Sequence, residues 1–130
     1  MRKTLVSIVT VIMCIFMFAG CGAKTIEQKI SDSQIQKICD EMKEDSYFQT
    51  YYKDVKLEIE GNHVTYKYYY KMDLDDDQID QVKESLENSG LQAQIDGLKD
   101  DFKKDCGIRP DKLSFSYYTN DDKLIVTIEE

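Results

Sequence analysis

A chain of 130 residues has room for one domain and no more. Its 17 basic and 25 acidic residues give a formal net charge of −8, which excludes nucleic acid as a partner because no cation excess remains to displace phosphate counterions. A single histidine cannot build a multi-histidine metal site.

Met1-Arg2-Lys3 is a short cationic start, and Leu5 to Phe18 is apolar except for Ser7 and Thr10. Ala19-Gly20 then places two small residues before Cys21. This is the layout of a secretory signal. The apolar run is about 15 residues, shorter than the ~20 that a bilayer-spanning helix needs. Phe18-Ala19-Gly20-Cys21 resembles the lipobox of bacterial lipoproteins, with Phe18 where Leu is usual; the resemblance implies that the Cys21 thiol accepts diacylglycerol. A soluble secreted protein is the alternative.

The expected organisation is a signal peptide at 1–20, a short lipid-anchored tether at 21–25 and a single α+β domain at 26–130. Loss of Arg2 and Lys3 with the signal leaves 15 basic against 25 acidic residues, a net charge of −10. An anionic membrane surface repels such a domain weakly, so the membrane is held through lipid on Cys21. Each buried CH₂ of that lipid contributes about 0.8 kcal/mol.

In the mature chain, Thr25-Ile26-Glu27-Gln28 and Ser31-Asp32-Ser33-Gln34 both fit a capping box. They predict a helical turn over 26–30 and a helix over 33–45, whose Ile35, Ile38, Cys39 and Met42 form one apolar face. Val55, Leu57 and Ile59 then alternate with charged residues, Gly61-Asn62 follows, and Val64, Tyr66, Tyr68, Tyr70 and Met72 alternate again. Two alternating runs split by Gly-Asn predict a β-hairpin.

Residues 76–104 carry two apolar stripes, Ile79/Val82/Leu86/Ala93 and Leu91/Ile95/Leu98/Phe102. Asn88-Ser89-Gly90 lies where the phase changes, which predicts a kink or two consecutive helices. Asp75, Asp76 and Asp77 suit the positive helix end, and Lys103 and Lys104 the negative one. A second hairpin closes the chain, with Leu113, Phe115 and Tyr117 on one strand, Asn120-Asp121-Asp122 turning, and Leu124, Val126 and Ile128 on the other. The expected fold is an α+β two-layer sandwich in the order α-ββ-α-ββ: a four-stranded antiparallel sheet made of two hairpins, with helices on one face.

Few residues suggest chemistry. Counted from Asp73, carboxylates fall at calcium-loop positions 1, 3, 5 and 12, but Gln78 stands where the loop needs Gly. The helical pattern from Ile79 onward favours helix-start acids instead. Cys39 and Cys106 form a candidate disulfide outside the cytoplasm, with two buried free thiols as the alternative. His63, beside the turn, has the place of an exposed hairpin residue. Neither a catalytic constellation nor a cofactor motif stands out, so no cofactor, no metal and no enzyme is expected.

The tyrosines divide by parity. Tyr66, Tyr68, Tyr70 and Tyr117 belong to the core side. Tyr69 and Tyr118 fall on the opposite side with Thr65, Lys67, Lys71, Ser116, Ile125 and Thr127. There Tyr69, Tyr118, Lys67 and Lys71 form a candidate interaction face, exposed Tyr beside Lys suiting protein recognition. An ordinary solvated sheet face is the alternative.

In this order, the Cys21 lipobox, the Thr25-Ile26-Glu27 start, the Glu60-Gly61-Asn62 turn before a Tyr-rich strand, Asp73–Asp77 and Tyr117-Tyr118-Thr119-Asn120-Asp121 resemble a family of small Gram-positive lipoproteins grouped as domain of unknown function 4854. The resemblance implies an envelope lipoprotein with a compact α+β domain, and only the lipid-bearing Cys carries over as a functional residue. The expectation is therefore an extracytoplasmic, lipid-anchored, non-enzymatic module that binds an envelope protein or another envelope component. The alternative is a carboxylate-dependent envelope enzyme or an accessory subunit of one.

Overall fold

The computed structural model describes residues 25–129, without the side chains of Asp105 and Cys106. The signal segment and Cys21 lie outside the described residues.

Both N-terminal capping boxes form. The Thr25 hydroxyl accepts from Gln28 N–H and starts α1, Ile26–Lys29; the Ser31 hydroxyl accepts from Gln34 N–H and starts α2, Asp32–Lys43. Helix α2 stops before the expected end because Asp45 begins another helix. Its carboxylate accepts from Tyr47 N–H at 2.8 Å and Phe48 N–H at 3.2 Å, capping α3, Ser46–Tyr51. That short helix buries Phe48 and leads directly into β1, Tyr52–Glu60.

Strand β2, His63–Tyr70, returns antiparallel to β1 through Gly61-Asn62. Gly61 takes φ +60°, a left-handed conformation that costs a glycine little. The turn also anchors α1. Ile26 N–H donates to Asn62 Oδ1 at 3.0 Å, Glu27 N–H to the Gly61 carbonyl at 3.0 Å, and Gly61 N–H to the Glu27 carboxylate at 2.6 Å.

The expected break in the long helical region is two helices, α4, Asp76–Glu87, and α5, Leu91–Cys106. Asp75 caps α4 through a third capping box with Gln78, so this acid serves helix initiation. Gly90, at φ +81°, makes the break, and Gly107, at φ +82°, ends α5. No helix among the described residues is long and apolar enough to cross a membrane.

Strands β3, Lys112–Tyr118, and β4, Leu124–Glu129, form the second hairpin, and the sheet order is β1-β2-β3-β4. The all-antiparallel expectation is corrected here: β2 and β3 pair in parallel, so the sheet is mixed. After β2 ends at Tyr70, α4 and α5 carry the chain back to the end where β2 began, and Lys112 enters opposite His63. A parallel pair requires such a helical crossover. The element order is also longer than expected, α-α-α-ββ-α-α-ββ.

The core lies between the inner sheet face and the helices. Parallel register sets Tyr66 beside Phe115 and Tyr68 beside Tyr117, and both ring pairs stack at 5.3 Å. Ile38, Cys39, Met42 and Phe48 cover them from α2 and α3; Leu86 comes from α4, and Leu91, Ile95, Leu98 and Phe102 from α5. Tyr70 is only partly buried but packs on this core as expected.

Val126 and Ile128 lie in the core as expected, but a register shift at Tyr117/Tyr118 changes the expected phase at the start of β4. Ile125 turns into the core and Leu124, 57% exposed, turns out, which reverses their expected sides. A β-bulge has this effect because one extra residue inverts the alternation beyond it.

Candidate functional site

Strand register arranges the open face in rows. From β1 to β4 these read Asp54–Tyr69–Tyr118–Leu124, Lys56–Lys67–Ser116–Thr127 and Glu58–Thr65–Ser114–Glu129, with Glu60–His63–Lys112 at the end. Aromatic groups thus occupy one end of the face, and hydroxyls flanked by charge occupy the rest.

The aromatic row is more enclosed than its parity suggested. Tyr69 and Tyr118 stack at 4.8 Å with an interplanar angle of 15°. Lys56 lies 5.3 Å from the Tyr69 ring centroid and Lys67 lies 5.9 Å from that of Tyr118. As a result Tyr69 is only 9% exposed, and Tyr118 is intermediate. The expected exposed Tyr69/Tyr118 patch is therefore corrected to a stacked pair covered by lysine. Lys56 and Lys67 are cross-strand partners of like charge, an unfavourable arrangement relieved by the ring faces and by a Lys67–Glu58 ion pair of 2.9 Å. That bond pushes the Lys67 ammonium pKa up.

Lys71 departs from the group expected for it. Its Nζ donates to the Gln49 carbonyl at 2.7 Å, tying the segment just after β2 to α3. Among the candidate face residues, the structure brings Lys67, Tyr69 and Tyr118 together and places Lys71 elsewhere.

Beyond the lysine row lies a basin of about 230 Å³. Its floor is made of hydroxyls. Ser116 and Thr127 hydroxyls are bonded at 2.9 Å, and Ser114 donates to the Glu129 carboxylate at 3.3 Å. Ser114 and Ser116 are buried although they face outward, because their short side chains sit between taller neighbours. Lys112 pairs with Glu129 at 3.0 Å, and His63 is exposed at the rim, as expected. Sequence parity marked Thr65, Ser116 and Thr127 as outward. Glu58, Ser114, Lys112 and Glu129 were missed as members because only inter-strand register sets them around one hollow.

The edge strand β1 has its own device. Lys43 on α2 reaches Asp54 at 2.8 Å, and Asp54 Oδ1 accepts from Val55 N–H at 2.9 Å. Burial alone would raise the Asp54 carboxyl, but these bonds outweigh it and hold the pKa below the usual range. The Val55 donor on this edge is thus occupied from within the chain. A groove of about 320 Å³ runs beside it, lined by Ile35, Gln36, Cys39, Lys43 and residues 54–58.

Cys39 is a free, buried thiol, and burial pushes its pKa up. It faces β1 from α2, while Cys106 ends α5 and its side chain lies outside the described residues. The acids from Asp73 to Asp77 are helix-start and loop groups, with Asp73 bonded to Asn120 Nδ2 at 2.8 Å. No three His, Cys, Asp or Glu among the described residues converge as a metal site.

A four-stranded mixed sheet with helices packed on its inner face and a polar basin on the outer defines an α+β domain. The chain belongs to the family described as domain of unknown function DUF4854, whose family model matches residues 26–129. No curated protein and no solved structure matches it. Two of the motifs that carried the resemblance, the Thr25-Ile26-Glu27 start and the Glu60-Gly61-Asn62 turn, are bonded to one another.

Proposed function

We propose that the chain is an exported lipoprotein, anchored by lipid on Cys21 to the outer side of a Gram-positive cell membrane, whose domain binds an envelope component without catalysing a reaction. The open sheet face is the contact surface. The observation that carries the placement is the docking of α1 on the β1–β2 turn through Asn62, Gly61 and Glu27. Thr25 stands only four positions after Cys21, a reach of about 13 Å when extended. The anchored domain therefore stands with that turn, and the basin beside it, towards the bilayer.

Binding is favoured over acid–base chemistry by the pairing of two of the three basin acids. Glu58 is held on Lys67 and Glu129 on Lys112, so neither is an isolated carboxylate. The test is Cys21→Ser expressed in the native envelope. Wild-type protein should fractionate with the membrane and carry the diacylglycerol mass on a chain beginning at Cys21; the variant should be released. Unmodified wild-type protein that still begins at Met1 sinks the reading.

A further inference from the structure

We infer that the end of the domain opposite the tether docks a cationic, partly apolar segment of a partner protein. This rests on the anchored reading above and deepens it, placing the contact where the open face points away from the bilayer. Strand direction defines that end. Tyr51 precedes β1, Met72 follows β2 and Leu124 opens β4, so all three lie opposite the Gly61-Asn62 turn on which α1 docks.

These three are the exposed large hydrophobic residues of the described chain, at 39% for Tyr51, 45% for Met72 and 57% for Leu124. Single exposed apolar residues are ordinary, but these share one end, and polar bonds knit their segments together. Lys71 N–H donates to the Tyr51 carbonyl at 3.1 Å, and Asn120 Nδ2 to the Asp73 carboxylate at 2.8 Å. Lys53 Nζ reaches both the Asn120 carbonyl and Asp122. The flexible Met72 thioether adapts to the shape of an apolar partner group.

Charge selects the rest of the partner. Residues 51–53, 71–77 and 120–124 hold six carboxylates against three lysines. Lys53 is engaged by Asp122 and Lys71 by the Gln49 carbonyl. Asp76, Asp77 and Asp121 are exposed and join no ion pair among the described residues. Lysine or arginine on the partner pairs with these acids around the apolar contact, as the polar rim of a protein interface does. A second copy brings the same acid surplus and is repelled, and a cation without apolar groups leaves Met72 and Leu124 uncovered.

The experiment titrates ¹⁵N-labelled full-length Cys21→Ser, free of lipid, with short peptides of alternating Lys/Leu, Lys/Ser and Glu/Leu. The Lys/Leu peptide should bind with a Kd on the order of 1 mM, shifting the amides of Met72, Asp73 and residues 120–124. The Lys/Ser peptide should bind at least about tenfold more weakly, and the Glu/Leu peptide not at all. Met72→Ser with Leu124→Ser should weaken Lys/Leu binding at least about tenfold. Asp76→Asn with Asp121→Asn should weaken it about threefold or more, and decides the matter should the serine pair disturb the fold. Glu60→Gln, at the other end, should change nothing. Shifts centred on the basin or the β1 edge, an equal response to Lys/Ser, or variants that bind like wild type would overturn the inference. So would shifts at this end that grow with protein concentration before any peptide is added, which would assign it to a second copy. These outcomes leave membrane attachment untouched, because attachment is read separately by mass and fractionation of the wild-type chain.

Discussion

The inner and outer faces of the sheet use alternate residues of the same strands, yet they bury side chains for different reasons. On the inner face Tyr66, Phe115, Tyr68 and Tyr117 are buried because helices cover them. On the outer face Tyr69, Ser114 and Ser116 are also buried, although no helix is needed to cover them: stacking, lysine stems and taller cross-strand neighbours do so. Burial on the first face reports a core; on the second it reports local relief, and relief is what creates the hollow there.

The sharpest test compares two consecutive residues. Phe115→Ala should destabilise by about 3–5 kcal/mol, since it removes an aromatic ring stacked on Tyr66 inside the core. Ser116→Ala, one position along and facing outward, should cost about 0.5–1.5 kcal/mol, the net value of its bond to Thr127. Urea denaturation of both variants decides it. Equal losses would mean that the two faces are not energetically distinct.

Next in size is the join between the anchor side and the sheet. Asn62→Ala removes the acceptor for Ile26 N–H and should cost about 0.5–1.5 kcal/mol. Hydrogen exchange at the Ile26 amide should accelerate, while amides at the far end of β2 keep their protection. Unchanged exchange at Ile26 would show that α1 is held by its buried Ile26 side chain and not by the turn.

How far these features were legible in the sequence depends on their range. Capping boxes at Thr25 and Ser31, the Gly61-Asn62 turn and the break at Ser89-Gly90 were readable because each is set within a few residues. Asp45 was readable in principle as a helix cap, but the six residues that follow it carry too little periodicity to announce a helix. The parallel pairing of β2 with β3 was not readable: alternation along each strand is the same whichever way two hairpins are joined. The bulge beside Tyr118 and the basin itself depend on register between strands, so Glu58 and Glu129, 71 positions apart, showed no sign of sharing a row. The expected signal and the lipidation of Cys21 rest on local pattern alone, and both lie outside the described residues.

The inner face also holds one polar atom with no visible role. Tyr66 is 1% exposed, and its hydroxyl has no hydrogen-bond partner among the described residues. A buried hydroxyl left unpaired costs about 1–3 kcal/mol, so Tyr66→Phe should stabilise the domain by about 1 kcal/mol. Thermal denaturation measures this directly. A loss of stability would mean that the hydroxyl is satisfied in solution, by water or by the Cys39 thiol on the facing helix.

The smallest expected effect lies where the two faces meet, at the β1 edge. Lys43 comes from the helix layer and Asp54 from the outer row, so their 2.8 Å ion pair wraps the edge of the sheet. Both side chains are 37% exposed, and solvent screening limits the pair to about 0.2–1 kcal/mol. Because the folded-state Asp54 pKa lies below the unfolded value of about 3.9, its contribution is fully present above that value and disappears as pH falls through the folded pKa. The Lys43 pKa is raised, so its share is present below about 10.4 and is lost as pH rises through the folded value. Asp54→Asn should therefore be less stable than wild type at pH 7, converge with it in acid, and converge also in 1 M salt, where the screening length is about 3 Å. A stability gap that persists at low pH would assign the loss to the Val55 N–H acceptor, since an amide oxygen at that position would then be failing to replace the carboxylate in guarding the edge.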